Sequence, residues 1–137
     1  AVLKRTAPFS SYYQQFSLTS IKIGEGKLEE GLAEAKALKL KLEQDLNFWR
    51  GKNSRVSYGT LLYGYNLLRV AVLEKEVGSQ EGERLAWKEF KENAGWEGCP
   101  SFVPAYDPAA YKIIEKNFSS NERFLKEYIR QREKESY

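Results

Sequence analysis

Apolar residues recur along this chain at steps of three and four, the spacing that lays one face of a helix against a core. The clearest run lies between Lys27 and Arg50. There Leu28, Leu32, Ala35, Leu38, Leu42, Leu46 and Trp49 share one side, while Lys and Glu fill the others. Ala, Leu, Glu and Lys are strong helix formers, and Gly26 and Gly51 punctuate the run. A second helix is predicted from Tyr58 to Val77, with Ser57 as its N-cap and Gly78 as a glycine stop. Leu61, Tyr65, Leu68, Val72 and Leu73 form its main face, and Leu62, Val70 and Val77 widen it. A helix apolar over so much of its surface belongs at the centre of a fold.

Ser79 opens a third predicted helix, reaching about Asn93, with Leu85, Ala86, Trp87 and Phe90 as its apolar positions. Pro100 and Pro104 keep a helix from running through Gly95 to Tyr106. The Trp96, Phe102, Val103 and Tyr106 side chains in that stretch predict a packed loop. Asp107 followed by Pro108 is a helix start, an N-cap before a first-turn proline. Tyr111, Ile114 and Phe118 carry its face. Ser119 and Glu122 form a capping box for a last helix lined by Phe124, Leu125, Tyr128 and Ile129, and the polar tail from Gln131 is expected to fray. Ser10 to Ile23 fits a strand or a helix about equally. Helix is expected, because the chain offers no second strand to pair with it.

The predicted fold is therefore all-α, one domain over residues 1–137, with hairpins at about 10–50, 57–94 and 107–133. Leu28-Glu29-Glu30-Gly31-Leu32 after the turn at Gly26 is similar in order to Glu81-Gly82-Glu83-Arg84-Leu85 after the turn at Gly78. Gly26, Leu28, Glu29, Glu30 and Gly31, with Ala35 and Leu38 beyond them, resemble the tetratricopeptide repeat family. The likeness is best over residues 12–40 and looser over 60–92. It implies antiparallel hairpins stacked as a short tetratricopeptide-like array, with a compact five- or six-helix bundle as the alternative. The Gly26 to Gly78 spacing exceeds that family's period of about 34 residues.

Composition narrows the chemistry. The chain has no His and one Cys, which removes Ser-His-Asp and Cys-His catalysis, imidazole zinc sites and any intramolecular disulfide. Cys99 is expected as a partly buried free thiol. With 42% hydrophobic residues the chain is not disordered, and a net charge of +3 without a dense basic face argues against nucleic acid. No metal or cofactor motif is present. Gly24-Glu25-Gly26 lacks the Lys-Ser/Thr that a phosphate loop requires. Of the two Asp, Asp45 is expected on a charged helix face and Asp107 as a cap. The Glu residues interleave with Lys and Arg as solvated faces.

The remaining unexplained residues are aromatic and basic. Trp49, Arg50, Lys52 and Arg55 with Tyr58 could meet an anion and stack on it. Tyr12, Tyr13, Tyr58, Tyr63 and Tyr65 fall in the first helices of two hairpins, which line the concave surface in repeat arrays. The expected function is a non-catalytic protein-interaction or scaffold module that binds a peptide or protein partner through an aromatic-lined surface. The alternative is a carboxylate-dependent hydrolase acting on a glycan. A weaker third reading is aromatic and basic capture of single-stranded nucleic acid. No apolar run reaches the roughly 20 residues that span a bilayer. Ala1 to Arg5 precede no apolar stretch of a signal peptide. A cytoplasmic location and an exported or lipid-anchored one, after removal of a leader, both fit. Nothing in the sequence sets the oligomeric state.

Overall fold

The computed structural model describes residues 9–45, 58–93 and 103–116, together with Arg130. Among these, the regular structure is helical: α1 (Phe9–Gly24), α2 (Leu28–Gln44), α3 (Tyr58–Val77), α4 (Gln80–Asn93), α5 (Val103–Tyr106) and α6 (Pro108–Glu115). The predicted boundaries of α3 and α4 hold, and the ambiguous N-terminal segment is helix. Leu46, Trp49, Ser57, Trp96, Cys99 and Phe102 lie outside the described residues. So do Phe118 and the expected last helix with its Ser119 cap.

Tyr12, Phe16, Thr19 and Ile23 turn one face of α1 inward. At the end of α1 Gly26 adopts φ 86, where a side chain would clash and glycine does not. Lys27 N–H then donates to Lys22 O and Gly26 N–H to Ile23 O, both at 3.0 Å. These are the two bonds of a Schellman stop. The chain reverses into α2, whose Gly31, Leu32, Ala35, Leu38 and Leu42 are buried. A Cβ on Gly31 would stand 2.6 Å from Ile23 Cγ1. Glycine there is what lets α1 and α2 approach so closely. Glu29 and Glu30 sit in the first turn of α2, favourably placed against the helix dipole.

α3 is the centre. Every residue from Leu62 to Glu74 is buried, so α3 has no solvent face over more than three turns. It packs on α2 and α4 most extensively, and on α1 and α6 as well. Asn66 is held in this interior by Nδ2 donating to Ala35 O of α2 at 2.9 Å. Each large apolar side chain buried this way contributes about 1.5–3 kcal/mol.

Gly78 ends α3, but not as a left-handed cap, since Gly26 is the one glycine among the described residues with positive φ. A Cβ at Gly78 would collide with the Glu74 carboxylate and lie 2.9 Å from Glu74 O and 3.0 Å from Glu74 Cα. Ser79 does cap α4, its Oγ accepting from Gly82 N–H at 2.8 Å. Ala86, Trp87 and Phe90 face the core, with Trp87 and Phe90 edge to face at 5.6 Å. Leu85, expected with them, is instead half exposed. Asp107 caps α6 as predicted, accepting from Ala110 N–H at 3.3 Å. Ala110, Ile113 and Ile114 are buried. α6 packs on α1 and α3, which closes the antiparallel hairpins into a bundle around α3.

Candidate functional site

An open groove of about 600 Å³ runs between α2 and α4, over α3. Val70 of α3 is buried at its floor, and Leu40 of α2 and Leu85 of α4 reach it from either side, 53% and 50% exposed. These leucines stand out because their own helices bury other faces. α2 already buries Leu38 and Leu42, and α4 buries Ala86 and Phe90. Leu40 and Leu85 are therefore surplus to the core, while Val70 and Ala86 belong to it.

Charges of both signs rim the strip. Lys36 Nζ bonds Glu74 at 3.1 Å, tying α2 to α3, and Lys39 Nζ bonds Glu89 at 3.0 Å, tying α2 to α4. Lys88 and Glu92 complete the rim. Glu74 is nearly buried, and a Cβ on Gly82 would lie 2.5 Å from its Oε2. Gly82 thus leaves the room that the carboxylate occupies beside the start of α4. Three carboxylates do share this cleft. Glu74 and Glu89, however, are each engaged by a lysine ammonium, an arrangement suited to holding helices together. Among the described residues, no group of three His, Cys, Asp or Glu is placed to hold a metal ion, and no helix is long and apolar enough to cross a membrane.

The aromatic residues expected to line a binding surface divide. Tyr12, Tyr63 and Tyr65 are interior side chains, each no more than 4% exposed. Tyr12 OH donates to Asp45 Oδ2 and Tyr63 OH to Glu43 Oε2, both at 2.5 Å. Burial and the Glu43 carboxylate push the Tyr63 hydroxyl well above its ordinary value. Tyr65 stacks on Tyr106 with ring centroids 3.8 Å apart. Their hydroxyls and rings serve packing, which corrects the expectation of a tyrosine-lined groove. Tyr13 alone of the four is accessible, 40% exposed and edge to face with Tyr106 at 5.7 Å. Asp45 is also corrected: it lies buried at the C-cap of α2 rather than on a charged face. Trp49, Arg50, Lys52 and Arg55 lie outside the described residues, as does the side chain of Tyr58.

The polar centre of the molecule was not anticipated. Arg69, midway along α3, is 0% exposed, and Asp107 is 1% exposed. Arg69 Nε meets Asp107 Oδ2 at 2.8 Å and Nη2 meets Oδ1 at 2.9 Å. Nη1 donates to Phe16 O at 2.7 Å, Nη2 also donates to Ser20 Oγ, and Cζ lies 3.5 Å above the Phe16 ring. A signal was present in the sequence, since Arg69 is the one charge between Arg55 and Glu74. A lone arginine in an apolar helix needs a carboxylate, because an unpaired buried charge is too costly.

Set against known proteins, the chain matches no described family, no curated relative and no solved structure.

Proposed function

We propose that this chain is a non-catalytic protein-interaction module. Its α2–α4 groove receives an amphipathic helical segment of a protein partner. The observation that carries this reading is the pair of half-exposed leucines, Leu40 and Leu85, facing one groove from two helices over Val70. An apolar strip with a charged rim is the recurrent form of helix-in-groove recognition. The lysines and glutamates around the strip are balanced, so net charge does not select the partner. The fitting segment has apolar side chains on one stripe and both signs of charge beside it. Lysine engagement of Glu74 and Glu89 supports binding here rather than hydrolysis. The likeness of the α1–α2 hairpin to a tetratricopeptide hairpin, with its close contact at Gly31, fits the same reading.

The test is site-directed photo-crosslinking. A photoreactive residue is placed at Leu40 or Leu85 of the full chain, and at Leu18 on the outer face of α1 as a control. The expected result is one and the same protein adduct from Leu40 and Leu85, absent from Leu18 and lost when the other leucine is changed to Glu. A synthetic helix from the adducted region should then bind the chain and fail to bind Leu40→Glu. Adducts that are equal at Leu18, or absent from both groove positions, reject the proposal.

A further inference from the structure

On the α1–α3 side of the bundle the chain's own Tyr106–Asp107 covers Arg69. Besides Asp107, Arg69 is held there by α1. The Phe16 ring lies under the guanidinium, Phe16 O accepts from Nη1, and Ser20 Oγ accepts from Nη2. None of those contacts involves α5 or α6. They fix the plane and direction of the guanidinium, and its Nε–Nη2 edge is aimed at whatever covers α1 and α3. A guanidinium edge held in place is a preorganised carboxylate receptor, because a bidentate pair gains both strength and geometry from that fixing.

What occupies the receptor has the form of a short linear ligand. Asp107 takes the Nε–Nη2 edge with both carboxylate oxygens. The residue before it, Tyr106, stacks on Tyr65 at 3.8 Å and meets Phe16 at 5.8 Å and Tyr13 at 5.7 Å. Two adjacent residues thus make one bidentate ion pair and three ring contacts. The elements carrying them are short, four residues for α5 and eight for α6. Helices of that length do not stand alone in water, so α5 and α6 keep their structure only while docked. Local opening of such an element is easier than opening of the core, and opening would uncover Arg69, Tyr65 and Phe16 together.

We propose that the Arg69 site is a receptor for a protein segment bearing an aromatic residue followed by a carboxylate. In this proposal Tyr106–Asp107 is the built-in competitor that keeps the receptor closed. The site is distinct from the α2–α4 groove, and the proposal stands or falls independently of it. A partner segment must displace the intramolecular one, so its apparent affinity is reduced by the fraction of time the site is open. Removing the competitor raises that fraction.

The probe is a fluorescent peptide copying residues 103–116, titrated by anisotropy into the full chain and into its Asp107→Ala variant. Binding to Asp107→Ala is expected to be at least about tenfold tighter than to the unaltered chain. Peptides in which the tyrosine at 106 is Ala, or the aspartate at 107 is Asn, should lose that binding. Equal affinity for both chains, or indifference to the peptide's aspartate, overturns the proposal. A second measurement covers the case in which Asp107→Ala does not fold. Hydrogen exchange of the unaltered chain in millimolar peptide should show α6 amides losing protection while those of α3 keep theirs. Unchanged protection across α6 rejects the proposal on its own.

Discussion

The guanidinium of Arg69 and the carboxylate of Asp107 form a bidentate pair at 2.8 and 2.9 Å, buried from water and joining the middle of α3 to the cap of α6. Removing one partner of such a pair leaves the other charge uncompensated, a loss of about 3–5 kcal/mol, whereas removing both is far milder. Arg69→Met is therefore expected to destabilise the chain strongly, up to the free energy that docks α6. Arg69→Met with Asp107→Ser should recover part of the loss, since serine still caps a helix. Urea unfolding of the two variants measures this. Equal midpoints for the single and double variants would refute it.

Tyr12 and Asp45 make the corresponding link between α1 and the end of α2, at 2.5 Å and out of solvent. Tyr12→Phe keeps the ring and removes the hydroxyl donor from a buried carboxylate. The expected cost is about 1.5–3 kcal/mol, the range for a hydrogen bond to a charged group. A thermal melt of the Phe variant that overlays the parent would show that the bond carries no stability.

Gly78 and Gly82 both border the Glu74 carboxylate, but they differ in what surrounds an added methyl group. At Gly82 the nearest atoms belong to the end of the Glu74 side chain, which can swing away. Gly82→Ala should leave stability within about 1 kcal/mol, because alanine's better helix propensity offsets the displaced carboxylate. It should also release Lys36 from Glu74. At Gly78 the backbone of Glu74 is in the way as well, so Gly78→Ala is expected to be clearly destabilising. Chemical denaturation of the two variants ranks them, and the reverse order would contradict this geometry.

Alkaline pH should weaken the fold through Tyr63. Burial first, then its bond to Glu43, raises this hydroxyl above the ordinary 10.0. The unfolded chain releases that proton at a pH where the folded chain still holds it. The contribution is complete below the unfolded value and is lost as pH rises past it. Tyr106 is raised too, chiefly by burial, and adds in the same direction. Melting temperatures should fall as the pH rises above about 10. Tyr63→Phe should show a shallower fall, and an identical slope would dismiss Tyr63 as a contributor.

The helices could be read from the sequence because their signals are local. Apolar spacing set the faces of α2 and α3, Ser79 and Asp107 marked two starts, and Gly26 marked a stop. What could not be read was which element lies beside which. Tyr12, Tyr63 and Tyr65 carry the same residue type as a binding surface would, and only packing shows that all three rings are buried, with the Tyr12 and Tyr63 hydroxyls on Asp45 and Glu43. Leu85 keeps the period of its helix but falls where α4 faces the groove, so periodicity alone misplaced it. Asp107 had a sufficient local explanation as a cap, which concealed its longer-range partner. The Gly78 stop was expected for its backbone freedom, whereas the Glu74 side chain supplies the reason.

The return of α6 to α1 and α3 has a consequence for the order of folding. α1 packs on α2, α2 on α3 and α3 on α4, contacts that close over short sequence distances and form quickly. The Arg69–Asp107 pair joins positions 38 residues apart, and its energy is realised only after α1 and α3 have met. It therefore belongs to the last step. Substitutions at Asp107 should accelerate unfolding and leave the folding rate nearly untouched, while substitutions at Leu68 or Val72 should slow folding. Folding and unfolding limbs measured in urea would separate the two. The same position in the sequence of events makes α6 the first element to leave when the chain is strained.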